Sequence, residues 1–265
     1  GEDLAPPWPS LLIASGRQSI PLSLAVKRLS GNRTFTVQTQ HPRIGPRHFD
    51  LVVPAYHDLL SGPNVEPIIG APNRIAAAKI EEESKRVAPL LAHLPRPLVA
   101  VLIGGKSKVY DFPPERMDAL CEDLLILMRQ HDVGLAITTS RRTGKELKRL
   151  LHQRLDGERI YIWDEAGHNP YFGMLGLADV ILVTADSTNM VTEAATTGKP
   201  VYVVPLPGGS AKFRRFHRAL EEYGATRPFT GTIDTWHYRP LNETQRVAKI
   251  IRARLDGRGG AAADL

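Results

Sequence analysis

Short apolar runs alternate along this chain with longer stretches in which apolar residues recur every three or four positions, from residue 11 to about residue 240. Compact apolar runs bounded by Gly, Pro, Asn or Ser read as buried strands, and the amphipathic stretches between them read as helices. Strands are expected at 11–14, 34–38, 51–53 and 65–69, then at 98–103, 135–138, 160–163, 180–183 and 201–204. Helices are expected at 73–91, 114–130, 144–155, 169–177, 188–197 and 212–223. This order predicts an α/β protein of parallel sheets with helices on both faces.

Pro95-Arg96-Pro97 interrupts the pattern after the polar helix at 73–91, so the boundary is placed there. The predicted domains are 1–92 and 93–240. A third segment, 241–265, carries apolar residues at 247, 250, 251 and 255, a helix able to return to the first domain. Its end, 257–265, is expected to fray. The first domain reads as incomplete at its start, because the strand at 11–14 follows only a short Pro-rich leader, and the natural protein is expected to begin further upstream.

Composition narrows the function classes. With 265 residues, 42% of them hydrophobic, the chain can build one large core or two small ones. Nothing approaches the roughly 18 consecutive apolar residues of a membrane span, and the start lacks a secretory pattern. A cytoplasmic location is expected, with peripheral attachment to the inner membrane as the variant. Cys121 is the only cysteine, which excludes an internal disulfide and fits a small core residue. The net charge of +6 favours anionic partners, yet the basic residues are dispersed, so nucleic acid is not expected and a phosphate or an anionic membrane surface is.

Candidate chemistry collects at the ends of three strands. The strand at 180–183 delivers Asp186 and Ser187 to the start of a helix, where Thr188 and Asn189 follow and free amides attract anions. Glu193, further along that helix, is placed to accept hydrogen bonds from ribose hydroxyls. The strand at 98–103 ends in Gly104-Gly105-Lys106-Ser107, where glycines permit close approach of a phosphate and Lys106 can neutralise it. These residues fit a relaxed phosphate-loop spelling, but the preceding residues are strand interior and no helix follows directly, so that motif is rejected. The strand at 135–138 ends in Thr139-Ser140-Arg141-Arg142. Ligands of open parallel sheets bind outside the carboxyl ends of the strands, so these three turns are expected to converge on a phosphate-bearing ligand. Trp163 and the stretch 167–170 either frame a base or sugar or, for Trp163, fill the core. His41, His48 and His57 lie at loop-like positions without a partner motif. No metal-ligand spacing appears, and no metal or cofactor is expected.

The same residues, with Ser15-Gly16-Arg17, His41-Pro42-Arg43, His57-Asp58, Gly70-Ala71-Pro72-Asn73-Arg74 and the run from Thr184 through Gly198-Lys199-Pro200, resemble the mitochondrial-fission family named for elongated mitochondria (ELM). That family is similar to the GT-B class of glycosyltransferases. The resemblance implies two Rossmann-like domains facing across a cleft, with a nucleotide-sugar donor held by the second and an unidentified acceptor. It assigns Gly105 and Ser107 to the diphosphate, Ser140 and Arg141 to its flanks, and Glu193 to the ribose, and places Ser15, Gly16 and Arg17 on the first domain's side. The family's role in plant mitochondrial fission, recruiting a dynamin-related protein, belongs to one branch, and this chain resembles the bacterial branch. A catalytically silent adaptor binding a protein or membrane surface is the alternative function.

Overall fold

The computed structural model describes residues 4–262 and divides the chain into two compact units, residues 1–72 with 242–265 and residues 73–241. In the first unit, strands β1 (Leu11–Ala14), β2 (Phe35–Gln38) and β3 (Leu51–Val52) form a parallel three-stranded sheet in that order. Helix α1 (Ile20–Leu29) connects β1 to β2 and follows a 3-10 turn at Arg17–Ser19. The apolar run at 65–69 makes only isolated bridges, Val65 to Val52 and Ile68 to Ala55, instead of the expected strand. Two prolines fall within or beside it, Pro63 and Pro67, and each removes an N–H that a ladder requires.

Residues from distant parts of the chain close this unit. Phe35, Val37, Leu51, Val53 and Ile68 share one core with Val247 and Ile251 of the terminal helix. That helix runs from Glu243 to Ala262, so it continues through residues expected to fray; residues 263–265 lie outside the described residues. Polar contacts fix it as well: Arg246 bonds Glu66 and the carbonyl oxygen of Pro67, and the buried Asp50 carboxylate receives both Lys27 and Arg258.

The second unit is built on a six-stranded, wholly parallel sheet. Its strands are β4 (Leu98–Ile103), β5 (Gly134–Thr139), β6 (Ile160–Ile162), β7 (Val180–Thr184), β8 (Val201–Val204) and β9 (Thr226–Pro228). Their spatial order is β6-β5-β4-β7-β8-β9, so the winding direction reverses between β4 and β7. Every residue of β4 and β7 is buried, as expected for strands covered on both faces. Helix α3 (Pro114–His131) leads into β5, and α4 (Gly144–Arg154) joins β5 to β6; α3 turns Met117, Leu120, Cys121, Leu124 and Leu127 inward, the three- and four-residue spacing of one helical face. Cys121 is therefore a core residue, and burial pushes its thiol up to about 11. Strand β9 was not anticipated: it has three residues, two of them exposed, and its Pro228 is tolerated because the strand is at the edge.

Helix α2 (Ala77–Leu91) corrects the expected boundary. It belongs to the second unit, and the division falls between residues 72 and 73 instead of near residue 92. The reason lies in helix α5 (Tyr171–Leu177), whose glycines leave a groove for it. A Cβ on Gly173 would stand 2.4 Å from Val87 Cγ2, and one on Gly176 would stand 2.0 Å from Ser84 Oγ. Lys79 lies over the Phe172 ring at 4.5 Å, and His168 Nε2 meets Glu83 Oε2 at 2.5 Å. A helix that reads as polar along the chain thus has a partner only glycines make accessible.

Candidate functional site

The three strand-end turns expected to converge do meet, at the point where the second sheet reverses its winding. The backbone N–H of Gly104 donates to Thr184 Oγ1 at 2.8 Å, and that of Gly105 donates to Asp186 Oδ2 at 3.0 Å. Thr184 Oγ1 in turn donates to Asp186 Oδ1 at 2.6 Å. From the β5 end, the Arg142 guanidinium meets Asp186 Oδ2 at 2.6 Å and donates to the Gly105 carbonyl oxygen at 3.1 Å. The buried Thr143 hydroxyl bonds the Gly104 carbonyl oxygen and accepts from Ser140 N–H at 3.1 Å. Three turns from β4, β5 and β7 are therefore one hydrogen-bonded unit.

Glycine is required at the centre of it. A Cβ on Gly104 would fall 2.2 Å from the Asp186 carboxylate oxygens, and one on Gly105 would fall 2.1 Å from the Arg142 carbonyl oxygen. These glycines are filled by protein, a different use from the open phosphate approach that the sequence suggested. Asp186 departs from expectation in the same way: its side chain has no exposed surface, so its carboxylate faces the turns and not a ligand. Ser107 is also engaged, its Oγ accepting from Val109 N–H and Tyr110 N–H to close a turn. Lys106 is exposed and pairs with Asp111 at 3.0 Å, which holds the Asp111 carboxyl below its usual range.

Other predicted residues keep some exposed surface. Helix α6 (Thr188–Thr196) begins at Ser187, whose Oγ accepts from Met190 N–H at 3.3 Å. Thr188 is partly exposed and Asn189 exposed at this first turn, and Arg141 and Arg142 are exposed in the turn that follows β5. Thr139 and Ser140 are partly exposed, and Ser140 Oγ caps the Arg142 N–H at 3.1 Å. Glu193, about a turn and a half into α6, accepts from the Tyr171 hydroxyl at 2.6 Å through Oε2. Burial raises its carboxyl above the usual range, with the Tyr171 hydrogen bond pulling the other way, and burial followed by the Glu193 charge pushes Tyr171 well above its own. Its Oε1 has no bonded partner among the described residues.

Several contributors had no signal in the sequence. Tyr171 sits 22 positions before Glu193, and only the fold brings them together. His217, on helix α7 (Ala211–Glu222), supports the β7 turn from behind: Nε2 lies 2.9 Å from the Ala185 carbonyl oxygen, while Nδ1 is buried without a partner. Burial lowers its imidazole below the usual range, so the neutral form with the proton on Nε2 fits the geometry. Trp163 fills no core; it is partly exposed and donates to the Ala166 carbonyl oxygen at 3.0 Å. His168 and Asn169 are taken up by Glu83 and by the Tyr171 N–H that starts α5. In the first unit, Ser15, Gly16 and Arg17 lie where β1 runs into the 3-10 turn; Gly16 has φ 83° and accepts from Gln38 Nε2 at 3.2 Å. Among the described residues no three His, Cys, Asp or Glu side chains gather as metal ligands, and no helix is long and apolar enough to cross a membrane.

The family model described as "Mitochondrial fission ELM1" matches residues 1–255. The chain belongs to that family. Among curated relatives, "Mitochondrial fission protein ELM1" of Arabidopsis thaliana is 32% identical over 278 residues, covering 95% of this chain and 65% of the plant protein. "Uncharacterized protein RP120" of Rickettsia prowazekii (strain Madrid E) is 29% identical over 287 residues, covering 93% of this chain and 80% of the relative. The chain thus spans just under two thirds of its plant ELM relative. Among solved structures, UDP-GlcNAc 2-epimerase from Methanocaldococcus jannaschii aligns with a TM-score of 0.60 at 13% identity over 92% of this chain and 77% of that one. A putative UDP-N-acetylglucosamine 2-epimerase from Listeria monocytogenes aligns with a TM-score of 0.54 at 9% identity over 94% and 76%. These likenesses establish an α/β fold of the GT-B kind for this ELM family member.

Proposed function

We propose that the second unit binds a nucleotide sugar and that the protein is a metal-independent sugar transferase of the GT-B kind. One observation carries this reading: three strand-end turns are fused at the sheet's reversal point, with a partly exposed carboxylate, Glu193, one oxygen of which is unengaged. Reversal points of open parallel sheets are where such sheets take nucleotides. In this reading Glu193 accepts a ribose hydroxyl through Oε1, and the first amides of α6 and the free donors of Arg141 and Arg142 face the phosphates. As the bond from sugar to phosphate breaks, negative charge grows on the departing diphosphate, and fixed donors stabilise that charge without rearranging. A cation is not needed where guanidinium groups and helix amides supply the positive field.

Because the structural relatives are named for UDP-GlcNAc, UDP and UDP-GlcNAc are the first ligands to test, followed by the GDP and CDP series. Calorimetric titration should show saturable binding to at least one, weakened about tenfold or more by Glu193→Ala, as expected for the loss of a charged hydrogen-bond acceptor. Absence of binding by every nucleotide would remove the reading. The 32% identity to a plant protein named for mitochondrial fission supports a second one, an adaptor that keeps the fold and binds a protein. A stoichiometric partner whose capture is insensitive to Glu193→Ala would favour the adaptor.

A further inference from the structure

Asp186 sits where a negative side chain would repel a phosphate, yet it is the most enclosed charged group at the site, its side chain wholly unexposed. Its carboxylate is fully engaged, by Gly105 N–H, by the Thr184 hydroxyl and by Arg142. Of its five N–H donors Arg142 uses one on the Gly105 carbonyl oxygen at 3.1 Å, while its Nη2 is ion-paired with Asp186 Oδ2 at 2.6 Å, and its side chain is 41% exposed. The guanidinium is therefore fixed in orientation while its remaining donors stay open to solvent. Its own backbone N–H is fixed too, on Ser140 Oγ. A planar fork held this way loses little freedom when it takes an anionic oxygen.

We infer that Asp186 is a positioning residue that never meets the ligand: it fixes Arg142 and the Gly104–Gly105 turn so that the free donors of Arg142 receive a diphosphate. This rests on the proposed nucleotide reading and deepens it by naming the group that receives the diphosphate and the group that holds it in place. Two effects oppose each other when Asp186 is neutralised. Removing a negative charge strengthens the positive field on a phosphate, whereas breaking the ion pair that holds Arg142, and leaving one of the Gly105 N–H and Thr184 hydroxyl donors without an acceptor, loosens the donors that must be aligned. Around a wholly buried carboxylate the second effect dominates, because alignment of its planar fork is what distinguishes a held guanidinium from a mobile charge.

The test is titration of the full chain and of Asp186→Asn and Arg142→Lys with UDP, UMP, uridine and inorganic pyrophosphate, with thermal melting as a check of folding. Expected are losses of about tenfold in UDP and pyrophosphate affinity in both variants, with uridine affinity unchanged. Arg142→Lys keeps the cation beside the buried carboxylate and so remains informative if Asp186→Asn melts early. Unchanged or tighter UDP binding in Asp186→Asn overturns the inference, since field strength alone would then govern. A parallel loss of uridine and UDP also overturns it, since the cluster would then only hold the fold. If wild type takes up pyrophosphate but no nucleoside or nucleotide, the nucleotide reading fails while the clamp stands; if it takes up none of the four, both fail.

Discussion

The turn after β1 and the turn after β4 start from similar material, Ser15-Gly16-Arg17 and Gly104-Gly105-Lys106-Ser107, and end in different states. Around Gly16 nothing lies within 4 Å of where a Cβ would stand, and no side chain caps the helical turn that follows. Around Gly104 and Gly105 that space is filled by the Asp186 carboxylate and the Arg142 backbone. Glycine in the first turn serves the backbone angle, and in the second it makes room for other parts of the protein. The comparison shows that a Gly-containing strand end is not by itself a place for a ligand; what surrounds the missing side chain decides its use.

Replacing each glycine with alanine separates the two cases most sharply. Gly105→Ala should cost about 3 kcal/mol or more in urea unfolding, because backbone atoms cannot move aside. Gly16→Ala should cost only about 1–2 kcal/mol, the strain of an extended positive-φ conformation without a clash. Equal costs would break the comparison. A smaller but still large effect is expected at the α2–α5 contact, where Gly176→Ala should cost about 2 kcal/mol, the scale of overpacking. A neutral Gly176→Ala would mean that α2 is not held there.

Two subtler changes probe the site itself. Tyr171→Phe should cost about 1 kcal/mol, a typical net hydrogen bond. It should also move the Glu193 carboxyl further up, because the hydrogen bond that offsets burial is gone; carbon-detected titration of Glu193 would read this, and an unmoved carboxyl would contradict it. The smallest effect concerns His217. Its imidazole is held below the ordinary 6.5 by burial, so its contribution is complete above that pH and is lost as pH falls toward the lowered folded value. His217→Phe should flatten this part of the stability profile, and an unchanged slope between pH 7 and 5 would show that His217 does not titrate as described.

The buried strands of the second sheet were legible because a strand covered on both faces must be apolar throughout, as the 98–103, 180–183 and 201–204 runs are. The convergence of three turns followed from the rule for open parallel sheets. What the chain alone did not show was direction. Asp186 stands next to Ser187 at a helix start, a position that suits either a ligand or the neighbouring turn, and only the packing of β4 against β7 settles that its carboxylate turns inward. Helix α2 was assigned to the wrong side because its partner surface is made by Gly173 and Gly176, residues with no hydrophobic signature. Tyr171 was missed because the Glu193 contact spans an entire β–α connection.

The room left by Gly104 is occupied by the carboxylate of residue 186, and the room left by Gly105 by the main chain of residue 142. These positions are consequently not free to drift singly during descent. A lineage that shortens residue 186 would open a void beneath Gly104 that a larger side chain could inherit, whereas residue 105 should stay glycine regardless, since no exchange of side chains elsewhere moves a carbonyl oxygen out of its way.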